Sequence, residues 1–241
     1  MLITYQFDYQ QELEKVYNES RWEAYYDPVL LPVLSSCCDG LGVKVVPTHE
    51  TRKRGIKKHF IETYSIAGEK EVKKEKNGKE VIERRPTRLG IPDFVIVPEE
   101  STYDNPLPSI VNVEFKLPIN LTSKYIKCNP EEHKTELRHQ FEYCKYNIFT
   151  DGVTWYLLKK SKYNEKVYTI SKCIELYDTE KNQWKRSYRN AYDEIEKDFF
   201  DSVGIKYDKS SMVECQPPEW EELMETIIET IKIAKNNYQQ Q

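Results

Sequence analysis

No apolar run in this chain approaches the length needed to cross a bilayer, and the opening MLITYQFDYQ has neither the basic start nor the apolar core of a secretion signal. A cytoplasmic protein with no membrane partner is therefore expected. The string Gly-x-x-x-x-Gly-Lys-Ser/Thr is absent, so no P-loop ATP motor is encoded. Cys37, Cys38, Cys128, Cys144, Cys173 and Cys215 form no Cys-x-x-Cys pair and stand near no histidine at zinc spacing, which points to reduced thiols. Nor is there an excess of positive charge. The 36 basic and 40 acidic residues leave a net charge of −4, which is not the footprint of a protein that binds DNA by bulk electrostatics. No internal repeat occurs, and low complexity is confined to Gln239-Gln240-Gln241.

What is present argues for a packed protein. Hydrophobic residues make up 39% of the chain and aromatics 12%, enough for a core despite the high charge. At 241 residues the length suits one large domain or one core with an elaboration. We expect a core over 1–175 and a helical C-terminal extension over 176–241. Basic charge is concentrated in two clusters, Arg52, Lys53, Arg54, Lys57 and Lys58, and then Arg84, Arg85 and Arg88. Either would position a phosphate backbone locally without changing the overall balance.

Along the chain, residues 8–36 read as two helices, the second capped near Asp27 with Pro28 at its first position and Pro32 in its first turns. Strands are expected at 43–48 and 59–67, and Asn77-Gly78 between charged residues predicts a projecting hairpin. Further strands at 92–98 and 109–117 precede a helix over about 130–147, then strands at 153–159 and 166–172. Tyr192, Ile195, Phe199 and Val203 predict another helix. After Pro217-Pro218, the residues Trp220, Leu223, Met224, Ile227, Ile228, Ile231 and Ala234 fall at steps of three and four. That stripe would pack on its own domain or against a second copy.

Two acidic strings stand out within apolar, β-branched runs: GIPDFVIV, with Pro92 and Asp93, and IVNVEFKL, with Glu114, Phe115 and Lys116. Alternation in a strand puts Glu114 and Lys116 on one face and Phe115 on the other. Glu-x-Lys also occurs at Glu71 and Glu132, but in solvated surroundings; Pro-Asp occurs once. Paired carboxylates beside an ammonium suit a hard divalent cation and an attacking water.

These residues resemble the PD-(D/E)XK nuclease superfamily, whose pattern is Pro-Asp, a variable hairpin loop, then Glu-x-Lys. The segment 137–160, LRHQFEYCKYNIFTDGVTWYLLKK, is similar to the nuclease domain of type I restriction endonuclease motor subunits, through Gln140, Thr150-Asp151-Gly152 and Trp155. It departs at Cys144, where a tyrosine is expected, and at Asp151, where an asparagine is. The resemblance implies an α/β fold, a mixed β-sheet flanked by helices with a restriction-endonuclease-like αβββαβ core. It implies a Mg²⁺-dependent endonuclease acting on DNA, with Mn²⁺ as substitute, in a bacterial or phage restriction or defence setting. Asp93 and Glu114 would hold the metal with the carbonyl of Phe115 and a first-helix carboxylate, Glu23 or alternatively Glu19. Lys116 would polarise water or phosphate, and Gln140 would position water or backbone. Arg52, Lys53, Arg54, Arg84, Arg85 and Arg88 would meet DNA. A homodimer would supply two sites for two strands, and a restriction or defence protein would be a partner. The alternatives are a non-catalytic binding or inhibitory module of the same fold, or an RNA- or nucleotide-activated nuclease. His133 and His139 read as structural or surface residues.

Overall fold

The computed structural model describes residues 6–20, 22–48, 62–76, 79–121, 123–162, 166–190, 202–204 and 212–240. Helix α1 (Gln6–Glu19) leads through a 3-10 turn (Glu23–Tyr26) into α2 (Asp27–Cys38). Then come β1 (Val43–Pro47), β2 (Ile66–Lys76), β3 (Lys79–Leu89), β4 (Phe94–Pro98) and β5 (Val111–Phe115). A 3-10 turn (Pro130–His133) opens α3 (Lys134–Gln140), followed by β6 (Tyr146–Thr150), β7 (Thr154–Lys160) and β8 (Tyr168–Glu175). Short strands β9 (Tyr177–Asp178), β10 (Gln183–Trp184), β11 (Ser187–Asn190) and β12 (Met212–Cys215) precede α4 (Pro218–Gln239).

Six strands form one sheet in the order β1-β4-β5-β6-β7-β8. Every neighbouring pair is antiparallel except β5 and β6, which run parallel and are joined across the sheet by α3. One face carries Phe94, Ile96, Val111, Val113, Phe115, Ile148 and Trp155, and α1, α2 and α4 close over it with Leu13, Leu30, Val33, Leu34, Leu223 and Ile227. On the opposite face Phe149, Tyr156 and Leu158 pack against Leu137 and Phe141 from α3 and its end. The protein is thus a mixed α/β layer structure with a mostly antiparallel sheet.

The stripe of α4 is buried as its periodicity predicts, with Trp220, Leu223, Ile227, Ile231 and Ala234 all inside the large core of its own chain. Met224 and Ile228 of the same stripe pack half-buried against that core. Asn77-Gly78 lies outside the described residues, but β2 and β3 on either side pair in register from Ile66↔Leu89 to Lys76↔Lys79, as a hairpin requires. The region expected to be helical from 176 onward carries β9 to β12 before α4. Of the helix expected through Tyr192, Ile195, Phe199 and Val203, residues 192–201 lie outside the described set.

Three expectations are corrected. The helix over 130–147 stops at Gln140, and Tyr146–Thr150 is the strand β6, buried on both faces. A strand covered on both sides shows no polar alternation, so its period is indistinguishable from a buried helix. Of the strand expected over 59–67, residues 59–61 lie outside the described set, 62–65 are not strand, and β2 starts at Ile66. Tyr64 is instead a buried plug against Val95 and Val97, its hydroxyl donating to the carbonyl of Leu107 at 2.7 Å. Pro32 sits inside α2, beyond the first turn. All six cysteines are free thiols, and burial pushes those of Cys37 and Cys38 up to about 12.

Candidate active site

The site forms where β4 and β5 part. Their pairing covers Phe94↔Val113 to Ile96↔Val111 and goes no further toward the mouth of β4. Asp93 stands just before β4, its amide donating to the carbonyl of Val113 at 3.0 Å and its carbonyl accepting from the amide of Thr48 at 2.8 Å. Past the divergence, Oδ2 of Asp93 accepts the amide of Phe115 at 2.8 Å. The carboxylate takes the place a strand would fill. In an extended strand the N–H and C=O of one residue face the same neighbour, so the carbonyl of Phe115 also faces the Asp93 side.

Alternation along β5 separates the two faces as expected. Phe115 enters the large core, where its ring lies 4.8 Å from that of Tyr26, while Glu114 and Lys116 face α3. Glu114 is only 2% exposed. One of its oxygens meets Nζ of Lys116 and the other accepts from Nε2 of Gln140 at 2.5 Å. Gln140 is itself held by Asn147 of β6, whose amide donates to Gln140 Oε1. Lys116 Nζ also lies 3.0 Å from Oε2 of Glu136, one turn before Gln140 on α3.

Burial, and then the nearby Asp93 charge, raise the pKa of Glu114 well above the carboxylate range, although Lys116 pulls the other way. Burial lowers the pKa of Lys116, but Glu114 and Glu136 more than offset it and hold it above the ordinary lysine value. The helix end and the Pro-Asp loop are locked together at Gly90, where φ is +67°. A Cβ there would come within 2.5 Å of His139 Cβ and 2.9 Å of the Gln140 amide nitrogen, so only glycine permits this approach.

No protein-family model, no curated protein and no solved structure matches the chain.

The structure brings Asp93, Glu114, Lys116 and Gln140 together and leaves the other candidates apart. Glu19 and Glu23 are exposed, and among the described residues neither converges with Asp93 and Glu114 into a three-acid group. The 3-10 turn that holds Glu23 packs through Tyr26 on the far face of β5. The additional acid that reaches the cluster is Glu136. Its spacing of four from Gln140 was the available signal, since residues i and i+4 share a helix face. Arg52, Lys53 and Arg54 lie outside the described residues, and Arg84 and Arg85 fall within β3. Arg88 pairs with Glu62 at 3.3 Å and lines an open cleft of about 690 Å³ whose walls include His133, Glu136 and His139. His133, expected to be structural or at the surface, is a cleft residue whose pKa burial and Lys116 hold down.

Do these residues suit a divalent cation? Among the described residues no three or more His, Cys, Asp or Glu side chains converge on one point. A cation here would rest on the carboxylates of Asp93 and Glu114 and the carbonyl of Phe115, with water completing its shell. That all-oxygen, two-carboxylate set fits Mg²⁺, which keeps several waters. The upward pull of Asp93 on Glu114 is the repulsion such an ion would relieve. The donor set therefore fits.

Proposed function

We propose that the chain is a metal-dependent deoxyribonuclease of the PD-(D/E)XK type, hydrolysing DNA phosphodiester bonds in a bacterial or phage restriction or defence setting. The observation that carries this reading is the hydrogen bond from the Phe115 amide to Asp93 Oδ2, which sets the Pro-Asp carboxylate beside the Glu-x-Lys strand. The topology supports it. Antiparallel β1, β4 and β5, then α3, then β6 parallel to β5 after two N-terminal helices follow the αβββαβ order, with the β2–β3 hairpin inserted.

In this reading Asp93, Glu114 and the carbonyl of Phe115 hold a divalent cation. When bound, the ion neutralises charge developing on the phosphoryl oxygens and favours ionisation of the attacking water. Lys116 stands on the cluster's edge with 16% of its side chain exposed, fixed by Glu114 and Glu136, and presents positive charge to an incoming phosphate. Gln140, oriented by Asn147, holds the second oxygen of Glu114 in place. Glu136 keeps Lys116 in position.

The test is incubation of plasmid DNA with the full chain in Mg²⁺ or Mn²⁺, beside Asp93→Asn and Glu114→Gln. Asparagine at 93 still accepts the Phe115 amide while losing the charge, and thermal unfolding checks that the variant folds as the parent does. Cleavage by the parent chain and none by either variant is expected. Cutting retained in Asp93→Asn would overturn the mechanism. Mn²⁺ binding without cleavage of any substrate would favour a non-catalytic module, and cleavage confined to RNA or to nucleotide-supplemented reactions would favour an activated nuclease.

A further inference from the structure

Of the groups gathered around Lys116, one has no task. Asp93 and Glu114 are given over to the cation in the proposed reading, and Glu136 pairs with Lys116 at 3.0 Å. Gln140 and Asn147 are engaged with each other and with Glu114. Lys116 itself, an ammonium between two carboxylates, has protons to donate and no lone pair to accept one. Hydrolysis of a phosphodiester nevertheless strips a proton from the attacking water. A side chain that takes it must offer a free lone pair within hydrogen-bond reach, directly or through one water.

His133 meets that description. It closes the 3-10 turn before α3, and its Nδ1 lies 3.9 Å from Oε2 of Glu136, the same oxygen that stands 3.0 Å from Lys116 Nζ. Imidazole and ammonium therefore flank one atom, and a water lodged beside it can meet both. At 3.9 Å the ring is too far from Glu136 for a hydrogen bond, and among the described residues no other side chain or backbone group bonds it. Phe149 of β6 backs the ring at 5.3 Å between centroids, and the other side opens into the cleft of about 690 Å³. A neutral imidazole there has one acceptor nitrogen to use.

We propose that His133 is the general base of the site. Its imidazole takes the proton of the attacking water as the water oxygen bonds to phosphorus; the bond from phosphorus to the leaving ester oxygen breaks, and that oxygen takes a proton from solvent. The role rests on the nuclease reading. The charged and titratable groups around the ring are Lys116 from β5, Glu136 and His139 from α3, Glu132 from its own turn and Arg88 from β3 on the cleft wall, while Phe149 brings no charge. Burial and then Lys116 outweigh Glu136 and Glu132 and hold the imidazole below its ordinary 6.5, which keeps the accepting form at neutral pH.

The experiment measures kcat/KM of the full chain on plasmid DNA in Mg²⁺ across pH, beside His133→Ala, with thermal unfolding to check that the variant folds as the parent does. For the parent, kcat/KM should rise with pH and level off above a midpoint below 6.5. His133→Ala should lose about 100-fold at neutral pH with KM unchanged. Imidazole in the buffer should restore its activity in proportion to concentration, which a merely structural loss does not allow. A second readout needs neither metal nor substrate: by NMR in EDTA, the imidazole signal that His133→Ala removes should titrate below 6.5, move up in Lys116→Met and move down in Glu136→Gln. Cleavage by His133→Ala within about tenfold of the parent, a loss that imidazole leaves unrestored, or a His133 midpoint unmoved by both substitutions would overturn the proposal and leave the nuclease reading standing. No cleavage of DNA by the parent chain in Mg²⁺ or Mn²⁺ would defeat the nuclease reading and this role with it.

Discussion

Replacing Lys116 with methionine tests the electrostatics of the cluster directly. Methionine approximates the lysine stem but removes the ammonium, leaving Glu114, 2% exposed, without its cation and beside Asp93 and Glu136. Removing one partner of a buried pair destabilises by about 3–5 kcal/mol. Here the lower end applies, because the Lys116 and Glu136 side chains are 16% and 39% exposed and water reaches that side. A loss of about 3 kcal/mol at neutral pH in EDTA corresponds to a fall in Tm of about 6–12 °C for a chain of this size. Lys116→Met/Glu114→Gln should recover most of it, since no charge is then left unpaired in the interior. Mn²⁺ should stabilise Lys116→Met at least as much as the parent, by about 2.7 kcal/mol at a hundredfold excess over Kd, because the competing ammonium is gone. Urea denaturation of the parent chain and the two variants, with and without Mn²⁺, measures each of these differences. A single variant within about 1 kcal/mol of the parent, and no larger response to Mn²⁺, would show a solvated ion network and refute the reasoning.

Cation binding should release protons, because the folded pKa of Glu114 is raised by burial and by Asp93 and an ion binds its ionised form; calorimetry in buffers of different ionisation enthalpy checks this, and buffer-independent heats would contradict it. Without metal, the native state holds the Glu114 proton above the ordinary value of 4.5, so this group's contribution to stability falls as pH rises from there to the folded pKa. The raised pKa of Lys116 contributes stability below its ordinary 10.5 that is lost as pH rises through the folded value. Gly90→Ala should lose at least about 2 kcal/mol in urea and weaken cleavage, since a Cβ at φ +67° strikes the backbone nitrogen of Gln140; an unchanged midpoint would sink the idea. Asp151→Asn should destabilise by about 2 kcal/mol, because the buried carboxylate accepts from the amides of Val153, Thr154 and Cys128 and the hydroxyl of Tyr125, and an amide NH₂ faces donors it cannot satisfy. Equal stability of the two side chains would show that the network tolerates a donor.

The legible parts of this chain were those with a period or a charge out of place. Residues of α4 announced themselves at steps of three and four, and Glu114 was conspicuous as a carboxylate inside a β-branched run. Strand β6 was not legible: Tyr146, Ile148 and Thr150 face one core while Asn147 and Phe149 face the other, so the pattern carries no alternation. Glu136 was missed for a related reason. On a charged helix its spacing from Gln140 looks like a solvated face, and only the return of β6 beside β5 brings α3 over Lys116. Glu23 failed in the opposite way, since proximity along the chain to a buried Tyr26 says nothing about which face of the sheet that tyrosine covers. The departure at Asp151 has its own physical account, because all four of its partners are donors to an anion.

The position of Asp93 follows from the sheet itself. Where β4 leaves β5, the amide of Phe115 would be a donor without a strand partner, and a buried N–H of that kind is seldom left unpaired. A carboxylate on the residue before β4 satisfies it at 2.8 Å with no further element of structure. The hydrogen bond asks only for an acceptor, which asparagine also supplies. A negative charge at this point instead opposes the ionisation of Glu114 and so works against the stability of the empty site. The strand divergence asks for an acceptor at position 93, and in the proposed reading the negative charge there also serves the cation.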